Sequence, residues 1–199
     1  MSDTKDTESI YGDAKDRLNE ELERLMHEIE IIRAELFREI GMDPIEHLLG
    51  RIKAEESMRS KCDRRGLPRT ARSALVDIHD AIGIRVVCAF IDDVYKIRDR
   101  ILALPDIEMF EEKDYIRHVK PNGYRSYHLI VKTGAGFFAE IQLRTISMDT
   151  WAALEHQLRY KKDVKNVALI QSELKRCADE IASTDLSMQT VREMIEGEL

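Results

Sequence analysis

Two carboxylates in this sequence stand where their types and spacing suit phosphate chemistry. Asp80 lies just before a buried, strand-like run at residues 84–90. A carboxylate at the mouth of a sheet can hold Mg²⁺ on a nucleotide triphosphate, although an acid at this position can also simply cap the element. Glu140 lies on the polar side of an alternating segment, residues 137–144, and this pattern alone is typical of a half-buried strand with a solvated face.

Basic residues are concentrated at residues 51–72 and 113–125, although the chain carries a formal net charge of −7. The cations of the first segment either pair with nearby acids on a solvated helix face or form a clamp for a polyphosphate. A local basic region in an acidic protein favours a polyphosphate ligand over a long nucleic acid, so we expect no DNA partner. The cations considered for the clamp are Arg51, Lys53, Lys61, Arg64 and Arg65.

An aromatic residue, Tyr124, directly follows a predicted turn at residues 120–123 in the second basic segment. A ring held on a turn can stack on a nucleotide base, and the neighbouring cations can bind phosphates. Tyr124 can equally pack across the strands of a hairpin. Along the chain, two basic segments alternate with the carboxylates Asp80 and Glu140, and this order indicates a nucleotide phosphotransferase.

Long helices are predicted at both ends of the chain to support these residues. Residues 8–40 lack glycine and proline past Gly12 and carry an apolar stripe, and Gly41 ends this helix. Asp43 and Pro44 then fit the N-cap and first position of another helix. Residues 165–196 carry a second stripe, which packs either on the core or on a second copy of the chain. The first stripe consists of Leu18, Leu22, Leu25, Ile29, Ile32 and Leu36, and the second of Val167, Ile170, Leu174, Cys177, Ile181, Thr184, Met188, Val191 and Ile195.

Strands are predicted between these helices, at residues 84–90, 107–110, 126–132 and 137–144. The last two are joined by a tight hairpin at residues 133–136. Further helices are expected from Asp92 to about Leu104 and from about Ser147 to Tyr160. The predicted fold is α+β, with a central mixed sheet flanked by helices, and the predicted single domain covers residues 1–199, with an N-terminal helix at 8–40, a core at 43–162 and a C-terminal helix at 165–196.

The three cysteines lie far apart and lack the spacing of a metal site or a disulfide framework. The N-terminus is polar, and no segment is long and apolar enough to span a membrane. These features predict a cytoplasmic protein with no membrane partner.

Four segments resemble the synthetase domain of the RelA/SpoT family. They are RIKAEES (51–57), DIHDAIGIRVVCAFIDD (77–93), EEKDYIRHVKPNGYRSYHLIV (111–131) and AEIQLRTISMDTWAALEH (139–156). The length and the flanking helices resemble those of the small alarmone synthetases. This resemblance implies a nucleotidyltransferase-like sheet, Mg²⁺ as cofactor, and transfer of pyrophosphate from ATP to the 3′-hydroxyl of GTP or GDP, with GMP as a further candidate acceptor.

The resemblance also implies roles for individual residues. Asp80 matches the Mg²⁺ ligand, and Glu140 matches the carboxylate that activates the 3′-hydroxyl and shares the metal. Tyr124 matches the ring that stacks on guanine. The residues that resemble the ATP site are Arg51 and Arg85 on the adenine and Lys53, Lys61 and Arg64 on the phosphates. The remaining residues that resemble the acceptor site are Lys120 and His128 on the phosphates, with Asn122 in the same loop.

The terminal helices resemble those that build the family's homotetramer. One alternative is a toxic pyrophosphokinase acting on the 3′ end of tRNA, which would need a basic surface outside the site. Another is a non-catalytic regulator that binds nucleotide or RNA, which would not need both Asp80 and Glu140. The sequence does not indicate RNA binding. A purely structural helical assembly module is the weakest alternative, since it would not require the turn at residues 120–123.

Overall fold

Five strands form one mixed sheet at the centre of the molecule. They are β1 (Ile45–Ile52), β2 (Ile82–Cys88), β3 (Ile107–Asp114), β4 (Tyr127–Thr133) and β5 (Phe138–Thr145). The computed structural model describes residues 9–159 and 166–197, and in it the strands lie in the order β1-β2-β5-β4-β3. β2 and β5 run parallel, and the other neighbouring pairs are antiparallel. The predicted α+β class with a mixed sheet is confirmed.

Helices flank this sheet. They are α1 (Lys15–Ile40), α2 (Glu55–Arg65), α3 (Ile91–Leu102), α4 (Ile146–Arg159) and α5 (Val167–Glu196). Of these, α1 and α3 pack against one face of the sheet. A 3₁₀ turn at Gly12–Ala14 precedes α1, and a π-helical turn at Ser73–Asp77 precedes β2. None of the helices in the described ranges is both long enough and apolar enough to cross a membrane.

The first helix begins later than the sequence predicts. All six residues of its predicted stripe are buried, and Gly41, with a φ of +78°, closes its end by donating to the carbonyl of Phe37. Residues 9–14 precede α1. In this segment Tyr11 is buried, and its hydroxyl donates to the Lys53 carbonyl over 2.6 Å, which ties the segment to the end of β1. The predicted residue 8 lies outside the described residues.

The predicted helix after Asp43 is wrong, because these residues form β1. Its backbone pairs with β2 from Ile45 opposite Cys88 to Ile52 opposite Ile82. The Asp43 carboxylate accepts from the backbone of Ile45 and from Arg33, so the apparent N-cap stabilises a turn into a strand. Long-range pairing here outweighs the local helix signal.

The other predicted elements are present with shifted ends. β3 runs on to Asp114, four residues past the predicted end at 110, and a bulge interrupts its pairing between Met109 and Glu111. The hairpin at residues 133–136 is confirmed by hydrogen bonds between Thr133 and Phe137 and from Gly136 to Thr133. α4 matches the predicted helix up to Arg159, and the predicted residues 160 and 165 lie outside the described ranges.

The two faces of the sheet differ in character. Alternate residues of β2, β4 and β5 are buried on the side of α1 and α3: Ile82, Ile84, Val86, Leu129, Val131, Ala139, Ile141 and Leu143. The register aligns the residues of the opposite, open face in two rows across all five strands. One row is Arg51, Gly83, Glu140, Ile130 and Glu111, and the other is Leu49, Arg85, Gln142, His128 and Lys113. The open face therefore gathers the predicted site residues.

α5 packs on the rest of the fold through a largely polar face. Its buried residues are Ala178, Asp185, Gln189 and Arg192. Arg192 forms a 2.8 Å ion pair with Asp93 at the start of α3, and both side chains are buried. The ends of its predicted apolar stripe, including Val167, Met188, Val191 and Ile195, are exposed. The sequence left open whether this stripe packs on the core or on a second copy of the chain. Because these residues are exposed, the stripe as a whole does not pack on the core of the same chain.

Candidate active site

Two grooves on the open face of the sheet meet at Asp80 and Glu140. The first, of about 180 Å³, runs over β1 and β2 and contains Arg51, Lys53 and Arg85. The second, of about 610 Å³, lies toward α2 and β3 and contains Lys61 with other cations. Asp80 and Glu140 line both grooves, so two ligands bound side by side would meet at these carboxylates.

Asp80 is held between two lysines. Its Oδ2 lies 2.8 Å from Nζ of Lys53, which follows β1, and 2.5 Å from Nζ of Lys61 on α2. Burial raises the pKa of Asp80, but the hydrogen bonds and charges of the two lysines outweigh it, so the pKa lies below its ordinary value. Its Oδ1 is buried and has no hydrogen-bond partner among the described residues. This oxygen has lost its water without gaining a protein donor, which suits a cation ligand.

Glu140 is fixed by a histidine on the neighbouring strand. His128 on β4 lies with Nδ1 2.9 Å from Oε1 of Glu140. This hydrogen bond holds the pKa of Glu140 below its ordinary value, against the opposing effects of burial and of the Asp80 charge. Glu140 is therefore a carboxylate at neutral pH and can accept a hydrogen bond or hold a cation.

Tyr124 lies at the end of the predicted turn and contacts this pair. Gly123, with a φ of +89°, closes the turn by donating to the Lys120 carbonyl. Asn122 stabilises the turn, because its Oδ1 accepts from the backbone of Tyr124. The Tyr124 hydroxyl lies 2.8 Å from Nε2 of His128, and Nζ of Lys120 lies 4.9 Å from the centre of the Tyr124 ring. The turn thus brings an aromatic ring and a cation to the His128–Glu140 pair.

The two arginines of the first groove lie on adjacent strands. Arg51 is exposed on β1, and Arg85 is partly exposed on β2. One guanidinium nitrogen of Arg85 lies 3.4 Å from Asp149 on α4, while its Nε is buried without a partner among the described residues. Planar guanidinium groups such as these can stack on a base.

The remaining predicted residue, Arg64, is exposed in the last turn of α2, and Arg65 is the cation of that turn that lines the second groove. Arg65 and Lys61 are four residues apart and share a helix face. The sequence names both arginines as candidates for the clamp, but it does not reveal which side of α2 faces the groove.

Two residues beside the predicted site residues, Arg144 and Asp149, carry no predicted site role. Arg144 is buried at the end of β5 and donates to the Tyr124 hydroxyl over 2.6 Å and to Asp149 over 3.2 Å. Strand alternation puts Arg144 on the same side as Glu140, and this was the available signal. Its partners come from other elements, which the sequence alone does not bring together.

Known proteins resemble this chain in both sequence and fold. The family described as "Region found in RelA / SpoT proteins" matches residues 50–165. The chain is 34% identical to GTP pyrophosphokinase YwaC of Bacillus subtilis, over 98% of this chain and 93% of that protein. Its fold matches small alarmone synthetase 2 of B. subtilis with a TM-score of 0.78 and 36% identity, covering 92% of this chain and 99% of that one. It matches small alarmone synthetase 1 of B. subtilis, bound to its product pppGpp, with a TM-score of 0.75 and 30% identity, covering 89% and 94%. The chain therefore belongs to the RelA/SpoT family.

Proposed function

We propose that this protein is a (p)ppGpp synthetase, which transfers the pyrophosphoryl group of ATP to the 3′-hydroxyl of GTP or GDP and releases AMP. The observation that carries this proposal is the position of Asp80 and Glu140, which line both grooves. A transfer between two nucleotides needs both substrates to meet at one charged centre. The similarity to a GTP pyrophosphokinase over nearly the full chain supports the same conclusion.

We assign ATP to the first groove. Arg51 and Arg85 would hold the adenine between their guanidinium groups, while Lys53 lies at the inner end, 2.8 Å from Asp80. A base at the outer end puts its polyphosphate toward Lys53 and Lys61. These cations would offset the charge on the transferred group, because phosphoryl-type transfer depends mainly on positioning and charge neutralisation. Arg64, exposed at the end of α2, would be an outer contact of the same phosphates.

Asp80 and Glu140 fit a magnesium ion. The buried Oδ1 of Asp80 lacks a partner among the described residues, and Glu140 is ionised at neutral pH because its pKa is lowered by His128. Across residues 9–159 and 166–197, no three acidic, histidine or cysteine side chains group as a metal site, so substrate phosphates and water would complete the shell. When bound, Mg²⁺ would neutralise phosphate charge and polarise the phosphorus–oxygen bonds.

We assign the guanine nucleotide to the side of Tyr124. The ring would stack on guanine, with Lys120 beside it and Asn122 supporting the turn. His128 would lie beside the acceptor's ribose and phosphates, and its bond to Glu140 brings the carboxylate to the same place. Glu140 could then accept the hydrogen bond of the 3′-hydroxyl and orient it toward the ATP phosphates.

We also propose a homotetramer built through the terminal helices. The exposed stripe of α5 supports it, because Met188, Val191 and Ile195 are 50%, 45% and 76% exposed in the single chain. Contiguous exposed apolar residues on a helix mark an interaction surface.

We further propose that residues 1–199 act as one synthetase domain with its core at residues 43–162. The cytoplasmic location stays a prediction.

Substitution of the two central carboxylates tests this proposal. Asp80→Asn and Glu140→Gln keep the side-chain shape but remove the charge, and we expect each to lower the transfer rate by at least about 100-fold. Asp77→Asn is the matched control, because Asp77 lies three residues from Asp80 but lines neither groove. Transfer at near wild-type rates in both central variants would disprove the site assignment.

A further inference from the structure

We propose that the Tyr124 hydroxyl and Arg144 are positioning groups that hold His128, and through it Glu140, in the orientation the reaction needs. This inference rests on the proposed function and extends it to residues for which the sequence suggests no such role. Tyr124 then has two separable tasks: its ring stacks on the acceptor base, and its hydroxyl orients the carboxylate.

A continuous chain of short contacts supports this assignment. Arg144 donates to the Tyr124 hydroxyl over 2.6 Å, and the hydroxyl lies 2.8 Å from Nε2 of His128. On the other side of the ring, Nδ1 of His128 lies 2.9 Å from Oε1 of Glu140. Four side chains from the turn, β4 and β5 are thereby joined in one line that ends at the carboxylate.

The direction of these hydrogen bonds follows from the chemistry of the groups. A guanidinium carries only donors, so the Tyr124 oxygen must accept from Arg144. The hydroxyl proton is then available to Nε2 of His128, which accepts it when the imidazole is neutral. The ionised Glu140 carboxylate can only accept, so the ring proton of neutral His128 resides on Nδ1, and Nε2 is left to accept from the Tyr124 hydroxyl. Arg144 thus occupies the Tyr124 oxygen as a donor and leaves the hydroxyl proton directed at His128.

Arg144 is well suited to this task because it is itself immobilised. It is only 6% exposed, and it donates to Ser126, Gln142 and Asp149 as well as to Tyr124. Its partners lie on β5, on α4 and in the segment before β4, so its guanidinium is braced from several directions. A supporting group whose own rotamer is locked can hold a catalytic side chain to within a fraction of an ångström.

The expected consequence is catalytic rather than structural. With Oε1 held by His128, the other oxygen of Glu140 remains for the acceptor's 3′-hydroxyl. Loss of the Tyr124 hydroxyl would leave Nε2 without its donor and free the imidazole to turn. Glu140 would then spend less time in the productive orientation, while the ring that stacks on guanine would be intact.

Tyr124→Phe tests this inference, since it removes only the hydroxyl. We expect kcat to fall about 10- to 100-fold, as is typical when a group that orients a residue in contact with the substrate is lost. The KM for GDP should change by less than about twofold, which is the signature of an interaction that matters only in the transition state. Tyr115→Phe is the control, because its ring centre lies 6.2 Å from that of Tyr124 and its hydroxyl has no hydrogen bond among the described residues.

A double-substitution cycle decides whether Arg144 acts through the hydroxyl. Arg144→Gln should lower kcat, but adding it to Tyr124→Phe should lower kcat little further, because both changes break one chain. Multiplying effects would overturn the role of Arg144. If Arg144→Gln does not fold, Tyr124→Phe alone decides, and an unchanged kcat would overturn the inference. Wild-type protein that transfers no pyrophosphate would instead overturn the proposed function.

Discussion

The turn at residues 120–123, which precedes Tyr124, packs closely against α5 at Gly123. Its φ of +89° is a conformation that other residues adopt only with strain. A Cβ added there would lie 2.6 Å from the Ala178 Cβ and 3.3 Å from the Lys175 Cα of α5. Arg125 strengthens this contact between the turn and α5 by donating to the carbonyls of both Gly123 and Ala178. Gly123→Ala should therefore displace the turn that carries Tyr124.

A second glycine of the chain provides the matched control. Gly136 has nearly the same φ, +85°, but nothing lies within 4 Å of an added Cβ. Gly136→Ala should cost only the left-handed backbone strain, roughly 1–2 kcal/mol. Gly123→Ala adds overpacking, typically about 1–3 kcal/mol, so it should cost roughly 2–5 kcal/mol in total.

Urea unfolding and steady-state kinetics measure the two consequences. Gly123→Ala should be about 1–3 kcal/mol less stable than Gly136→Ala, and it should raise the KM for the guanine nucleotide while that for ATP stays unchanged. If the turn moves and relieves part of the strain, the free energy of unfolding falls by less, and the KM for the guanine nucleotide rises by more. Equal stability and equal KM values in the two variants would refute the idea that α5 positions the turn.

Two further predictions concern α5. Arg192→Ala should destabilise the fold by about 3–5 kcal/mol in urea unfolding, because it leaves Asp93 buried without its partner; Arg176→Ala, which removes an exposed arginine with two acidic partners on the same helix, should cost less than about 1 kcal/mol. Similar losses in both would contradict the role of the buried pair. Val191→Asp should dissociate the proposed homotetramer in size-exclusion chromatography with light scattering, and a wild-type protein that is already monomeric would rule out that assembly.

Local patterns in the sequence predict much of the sheet and its site. Alternation along residues 137–144 places Glu140 on the polar face, and the observed strand, Phe138–Thr145, has it on the open face beside Asp80. The turn at residues 120–123 is equally local, since glycine permits the positive φ that closes it. Both predictions depend on neighbours in sequence, which explains why they could be made.

Elements that depend on distant partners are harder to predict. Asp43 and Pro44 have the local chemistry of a helix start, yet the strand that follows is fixed by pairing with β2, almost forty residues later. α5 buries Asp185 and Arg192 and exposes much of its apolar stripe, because Thr145 and Asp93 supply polar partners from elsewhere in the fold. Periodicity identifies such a helix but not the face by which it packs.

Arg144 illustrates the same limit within the site. From the sequence, an arginine on the polar face of a strand is expected to be solvated. Only the fold shows that its guanidinium is buried among four hydrogen-bond acceptors, from Tyr124, Gln142, Ser126 and Asp149. The carboxylates that could be named in advance are those at element ends and on alternating strands. The groups that orient them are assembled by tertiary contacts.

The central claim is that Asp80 and Glu140 join an ATP site to a guanine-nucleotide site for pyrophosphoryl transfer. The most direct test incubates the purified protein with γ-labelled ATP, Mg²⁺ and, separately, GDP, GTP, GMP or bulk tRNA, and then resolves the products. We expect label in a guanine nucleotide with an equal amount of AMP released, and no transfer when Mg²⁺ is removed by chelation. Label only in tRNA, release of ADP instead of AMP, or no transfer to any acceptor would contradict the central claim.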